Sequence, residues 1–154
     1  MPTTPRAEAH AELAPHLYRR WMRYAQGDVT YFPRLVGLVV EDVRVDYCRM
    51  RLPWRVELSQ PFGVAHGGAI STLLDSVVVP AIGAGYDEPV PFATVDMSVQ
   101  FLGALRDEDA LAEGWVTQRG RSVVFCESEV VTASGTRIAR ALLTYKVSPP
   151  KPRA

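Results

Sequence analysis

The chain is short of cysteine, has no long apolar run, and carries no excess of either charge. Cys48 and Cys126 are its only cysteines. Both fall in strand-like segments without metal-ligand spacing, so they read as two free thiols in a reducing compartment. No stretch approaches the roughly 18 apolar residues of a membrane-spanning helix, and Met1 to Glu12 lacks the apolar core of a signal peptide. The expectation is a soluble, cytoplasmic protein with no membrane partner. Seventeen basic and seventeen acidic side chains cancel, which removes any electrostatic argument for nucleic acid as a partner. There is no internal repeat and no low-complexity tract. What is present is 154 residues, 47% of them apolar, enough for one domain with a substantial core and too few for two.

The densest information lies in Gly63-Val64-Ala65-His66-Gly67-Gly68-Ala69-Ile70-Ser71-Thr72-Leu73-Leu74-Asp75. Two glycines permit close approach of backbone to a ligand. The apolar run behind them has helical spacing, so they sit near a helix start, where free N–H groups gather. Asp75 then falls among Leu73, Leu74, Val77 and Val78. A carboxylate among aliphatics has to be paired, open to a cleft, or used.

The rest of the chain supplies the setting. A helix is predicted between Arg6 and Gln26 from Leu13, Leu17, Trp21 and Tyr24, with Pro15 as a possible true start. Met1–Pro5 and Ser148–Ala154 read as loose ends. Leu35–Glu41 and Val43–Leu52 read as strands, and Trp54–Ala65 as a loop. The helix after His66 is predicted to reach about Ile82, apolar nearly all round, kinked or ended by Pro80, with Gly83 and Gly85 behind it. Ala93–Phe101 alternates strictly: Ala93, Val95, Met97, Val99 and Phe101 on one face, Thr94, Asp96, Ser98 and Gln100 on the other. Its polar face implies that one side of the sheet is wet or meets a partner subunit. Leu111–Gln118, Val123–Ala133 and Arg137–Val147 complete a run of strands with hairpin-length connections. A helix apolar on most sides needs cover from several directions, and a curved antiparallel sheet gives it.

His66-Gly67-Gly68 followed by Leu74-Asp75, then Thr94-Val95-Asp96-Met97 in a strand, resembles the PaaI-like branch of the hotdog-fold acyl-CoA thioesterases over about Gln60 to Val147. The resemblance implies an α+β hotdog fold, with a long central helix wrapped by a curved antiparallel sheet and here an extra N-terminal helix. It divides the chain into an extension (1–30), one hotdog domain (31–147) and a tail (148–154). It implies hydrolysis of coenzyme A thioesters by a homodimer or homotetramer, without metal or cofactor other than the coenzyme A of the substrate.

Residue by residue, the resemblance makes Gly67 the oxyanion N–H donor and Asp75 the general base or nucleophile. It makes Gln60 an amide that binds the thioester oxygen or orients water, and Thr94 a hydroxyl that positions the water. Arg119-Gly120-Arg121-Ser122 matches the family's phosphate-binding turn, which makes Arg121 and Ser122 coenzyme A contacts alongside Gly68. Leu102–Asp109 departs from the family's Pro-Gly turn, leaving Arg106 as a candidate contact there. Active sites of the family lie between protomers, so Asp75 and the Gly67–Gln60 group are expected from different subunits.

The chemistry is coherent without the name. Thioester hydrolysis needs a polarised carbonyl, an activated water and a cradle for the leaving thiol. Helix-start N–H groups suit the first, and a carboxylate in apolar surroundings suits the second. Plainer readings stand beside these. His66 braces the helix start rather than transferring a proton. Asp75 alone could be a carboxylate paired with an arginine, Arg121 a solvated charge, Thr94 an ordinary strand residue, and Gln60 a loop amide. Asp96 reads as sheet-face polarity, and nothing is expected of His10 and His16. Tyr18, Trp21, Tyr24, Tyr31 and Phe32 read as core or subunit packing. Two other functions remain open: a non-catalytic acyl-CoA sensor, and a hydratase or dehydratase. The second needs a histidine–acid pair that His66 and Asp75, more than two helical turns apart, do not form.

Overall fold

A computed structural model describes residues 4–148. Its elements in chain order are α1 (Pro5–Glu8), α2 (Pro15–Met22), α3 (Phe32–Val36), β1 (Val39–Arg44), β2 (Tyr47–Leu52), β3 (Ser59–Gln60), β4 (Val64–Ala65), α4 (Gly67–Gly83), β5 (Phe92–Phe101), β6 (Ala110–Arg119), β7 (Val123–Thr132) and β8 (Arg137–Val147). Six strands form one antiparallel sheet in the order β1-β2-β6-β7-β8-β5, and β3 and β4 form a small hairpin of their own. α4 lies on the inner face of the sheet. This is the hotdog arrangement expected from the sequence.

The core explains the arrangement. Ile70, Leu73, Leu74, Val77, Val78, Ala81 and Ile82 of α4 are buried against Met50, Ala112, Val124, Val130, Leu143 and Val147 of the sheet. At Gly114 of β6 the helix comes so close that a Cβ would stand 2.7 Å from Val77 Cγ1 and 2.8 Å from Val78 Cγ1. A side chain there would push helix from sheet.

Several sequence expectations need correction. The single N-terminal helix is two short ones. Ala14 precedes Pro15 and is held extended (φ −55°, ψ 141°), because a proline ring disfavours helical backbone in the residue before it. Of the opening expected to be loose, Met1–Thr3 lie outside the described residues. Thr4 and Pro5, however, begin α1: the Thr4 hydroxyl accepts the Ala7 N–H at 3.3 Å. Residues 149–154 of the tail also lie outside. Leu35 and Val36 end α3 rather than opening a strand, and Val43–Leu52 is interrupted by a turn at Val45–Asp46, where Asp46 adopts φ 59°. The loop Trp54–Ala65 contains a 3-10 turn, Val56–Leu58, and the β3–β4 hairpin.

α4 passes Pro80 and continues to Gly83, close to the predicted end at Ile82. Gly83 and Gly85 serve packing. A Cβ on Gly83 would fall 2.0 Å from the Trp21 ring, and one on Gly85 2.6 Å from the Arg119 guanidinium. Arg119 Nη2 donates to Asp46 Oδ1 at 2.5 Å and to the Ile82 carbonyl at 3.1 Å, placing a cation at the C-terminal end of α4.

The regular alternation of β5 is also broken. Thr94 pairs with Tyr145 of β8 and Asp96 with Thr144, so Val95 is an extra residue bulged out of the ladder. Val95 is 61% exposed. Phe92 and Thr94 before the bulge share the inner face with Met97, Val99 and Phe101 after it. The outer face carries Asp96, Ser98 and Gln100, whose amide oxygen accepts from Arg140 Nε at 2.7 Å.

Candidate active site

The first turn of α4 gathers four backbone donors, and three are taken. The Gly68 N–H donates to His66 Nδ1 at 2.9 Å, and those of Ala69 and Ile70 to the His66 carbonyl at 2.9 and 3.3 Å. The Gly67 N–H has no acceptor among the described residues. His66 is thus the cap of the helix, its ring nitrogen standing where a Ser or Asp oxygen commonly stands. A Cβ on Gly68 would lie 2.9 Å from that nitrogen, so glycine keeps the cap in place. The Phe101 ring closes one side of Gly67, 3.3 Å from where a Cβ would be.

The β3–β4 hairpin is fastened beside this helix start. The His66 N–H donates to the Leu58 carbonyl at 2.8 Å, and Ala65 N–H to the Leu105 carbonyl at 2.9 Å. Gln60 sits on β3, with its side-chain oxygen 3.4 Å from the Phe62 N–H. Arg106 Nη1 donates to the Phe62 and Gly63 carbonyls at 3.1 and 3.2 Å, so it braces the hairpin turn. A cleft of about 300 Å³ opens next to the helix start, walled by Phe32, Val36, Leu58, Ala69 and Thr72 beside His66 and Gly68. Phe32 and Tyr31 are exposed rather than core, whereas Trp21 and Tyr24 are half-buried against it.

Asp75 lies two turns further along α4 and is half-buried. No arginine pairs with it among the described residues. Its partners are hydroxyls: Thr94 Oγ1 donates to Oδ1 at 2.9 Å and Tyr145 Oη to the same Oδ1 at 2.6 Å. Sequence reasoning missed Tyr145. The available signal was a phenol between Leu143 and Val147 in an inward-facing row. Burial, then the Asp75 charge, holds that phenol far above its ordinary value; burial lifts the Tyr24 phenol to about 12. Burial also raises both thiols, Cys126 to about 12, which disfavours the thiolate form that attacks. Among the described residues no three His, Cys, Asp or Glu side chains converge as a metal site.

The two groups stand at different ends of the chain's own fold. Thr94, Tyr145, Val124 and Arg119 are in one register across the sheet, and the Gly120–Ser122 turn with exposed Arg121 and Ser122 lies just beyond. Phe101, Gly67 and Gln60 belong to the opposite end. Eight helical steps separate Gly67 from Asp75, about 12 Å along the axis.

No curated protein matches the chain in sequence. Among solved structures, thioesterase HI1161 from Haemophilus influenzae superposes with a TM-score of 0.76 at 18% identity, covering 85% of this chain and 90% of its own. The PaaI protein of the E. coli phenylacetic acid degradation operon does so with a TM-score of 0.71 at 12% identity, over 77% and 85%. The smu.793 protein of Streptococcus mutans, solved bound to acetyl-CoA, has a TM-score of 0.70 at 18% identity, over 80% and 96%. These likenesses establish the fold. The thioesterase superfamily profile matches residues 62–139, from the β3–β4 turn through α4 and into β8. That match takes in half of the chain and all of the helix that carries Gly67 and Asp75, so the chain belongs to the thioesterase superfamily.

Proposed function

We propose that the protein hydrolyses a coenzyme A thioester to the free acid and coenzyme A. The observation that carries this reading is the pairing of a Gly67 N–H at a helix start with an Asp75 carboxylate held by hydroxyls, the first without an acceptor and the second without a cation among the described residues. The thioester carbonyl accepts from Gly67 N–H, with the Gln60 amide as a second donor. The first-turn dipoles then face the oxygen as it gains charge, where one such donor is worth about 3 kcal/mol of barrier. Water gives a proton to Asp75 while its oxygen bonds to the carbonyl carbon. The tetrahedral intermediate collapses, the C–S bond breaks, and the thiolate leaves. Direct attack by Asp75, followed by hydrolysis of the resulting anhydride, uses the same two groups. Neither route draws on a metal or a further cofactor.

His66 acts by holding the helix start. Arg121 and Ser122 are the proposed contacts for the coenzyme A phosphates. Arg106 is a weaker candidate because its donors already serve the hairpin. The ligand class is supported by the Streptococcus mutans neighbour with acetyl-CoA and by a Streptococcus pneumoniae neighbour solved with coenzyme A.

A carbonyl touching Gly67 cannot also meet Asp75 of the same chain across about 12 Å. The working site therefore needs two copies. β5 and β1 are the two edges of the six-stranded sheet, and β5 is the edge that carries Thr94 and Phe101. Antiparallel pairing of two β5 edges sets the Thr94 end of one strand beside the Phe101 end of the other, and so Asp75 beside Gly67 of the partner subunit.

The test is thiol release over short-chain, medium-chain and aromatic acyl-CoAs, with Asp75→Asn alongside. The expected outcome is turnover by the wild type and a loss of at least about 100-fold in the variant. No turnover of any thioester, with acyl-CoA still bound, would favour a sensor. Full turnover by Asp75→Asn would remove the proposed base.

A further inference from the structure

We propose that Tyr145 is the positioning residue of the reaction: with Thr94 it clamps one oxygen of the Asp75 carboxylate and leaves the other, Oδ2, as the single atom that meets water or the carbonyl. The proposal rests on the thioesterase reading for its consequence, but not for its geometry.

Tyr145 is 2% exposed. Its ring is held edge-on to Phe92 at a centroid distance of 6.1 Å. From there the hydroxyl reaches Asp75 twice, at 2.6 Å to Oδ1 and 3.0 Å to the main-chain carbonyl. The phenol thus ties the carboxylate to the backbone of its own residue and fixes the side-chain torsions. Thr94 Oγ1 approaches the same Oδ1 at 2.9 Å.

The sheet builds this pair. Thr94 and Tyr145 are direct cross-strand partners, and the bulge at Val95 begins immediately after them. Were Val95 paired in a regular ladder instead of bulged, an inward-facing Met97 would leave Thr94 on the outer face, since side chains three apart in a regular strand point opposite ways. The bulge lets a polar residue share the inner face with Met97, Val99 and Phe101. Both donors then converge on one oxygen, while Oδ2 has no partner among the described residues. A base confined to one oxygen in one rotamer is held at an attack geometry without reorganising.

The titratable neighbours do not obscure a test. Tyr145 on β8, Tyr24 on the segment after α2, and the Cys126 thiol facing Tyr145 from β7 all ionise well above the carboxylate range, Tyr24 and Cys126 at about 12. Asp75 has no ion-pair partner among the described residues. Both hydroxyls donate to the ionised carboxylate, so removing one disfavours ionisation.

The experiment compares Tyr145→Phe and Thr94→Val with the wild type. Phenylalanine keeps the ring and its packing, and the Thr94 variant carries the same test should the first not fold. In Tyr145→Phe, kcat is expected to fall about 10- to 100-fold with KM within about twofold. The acid limb of the pH–rate profile moves up, because the lost hydrogen bond is one made to the charged form. The second readout needs no turnover: carboxyl 13C NMR, with the Asp75 signal identified by its loss in Asp75→Asn, should show the same upward move. Wild-type kcat with an unmoved acid limb overturns the proposal, as does an unmoved NMR titration. If the wild type hydrolyses no thioester, the thioesterase reading fails and the NMR titration alone decides the clamp.

Discussion

At the scale of single residues, the helix start is held by one capping hydrogen bond and by a glycine with no room for a side chain. His66 Nδ1 accepts the Gly68 N–H, so the histidine acts through a hydrogen bond that needs no proton transfer. His66→Ala is expected to lower stability by about 1 kcal/mol, the usual worth of a cap, or a few degrees in the unfolding midpoint; His66→Asn, which can cap, should recover most of it. Thermal unfolding followed by circular dichroism checks both. Gly67→Pro separates fold from chemistry. Proline is tolerated at the first helical position, and His66 already has the extended backbone (φ −64°, ψ 135°) that a following proline requires. The variant lacks the N–H, so it should retain the helix and lose at least about 100-fold in thiol release.

The sequence made this residue-level site half legible. His66, Gly67, Gly68 and Asp75 lie within ten residues, and helical spacing relates them without knowledge of the sheet. Tyr145 lies seventy residues from Asp75 and reaches it only through strand register. The departure from the family's Pro-Gly turn leaves Arg106 as a candidate substrate contact, yet its acceptors are carbonyls of the preceding hairpin.

At the scale of elements, strand and helix cores follow from periodicity, whereas the interruptions follow from backbone chemistry that periodicity does not register. A one-residue bulge leaves the apolar–polar alternation of β5 unchanged on paper while rotating Thr94 to the other face. By sequence, Pro80 either kinks or ends an α4 that reaches about Ile82. It removes one N–H, but the helix is enclosed by the sheet and by Trp21, and that burial carries it three residues further. Helix-to-sheet contact at Gly114 sets a measurable limit: Gly114→Ala should destabilise by about 1–3 kcal/mol through overpacking against Val77 and Val78, read by denaturant unfolding.

The start of β6 adds a pH dependence. Asp109 accepts the Trp54 N–H at 2.8 Å and pairs with Arg51 at 2.9 Å, and these, in that order, hold its carboxyl below the usual value. A folded-state value below the unfolded one means that the contribution is present at neutral pH. It is lost as pH falls from about 4 downward through the folded value. Asp109→Asn should flatten the acid limb of stability there while leaving the neutral plateau lower, as chemical unfolding at stepped pH would show.

At the scale of the whole molecule, the account turns on division of labour. One end of α4 presents an amide and the middle presents a carboxylate. A rigid helix keeps them about 12 Å apart, and nothing within a single fold can shorten that distance. In the proposed dimer, antiparallel pairing of two β5 edges brings the two ends together. This could be anticipated from the resemblance but not from residue patterns, because a sequence gives spacing along one chain and says nothing of a second. The direct measurement uses two differently tagged variants, Asp75→Asn and Gly67→Pro, produced together and purified by both tags. Each variant alone should be inactive. The mixed dimer restores one of its two sites, since one Asp75 and the opposite Gly67 are both intact, and should show about half the wild-type thiol release. A mixed dimer as inactive as its parents would contradict the shared site.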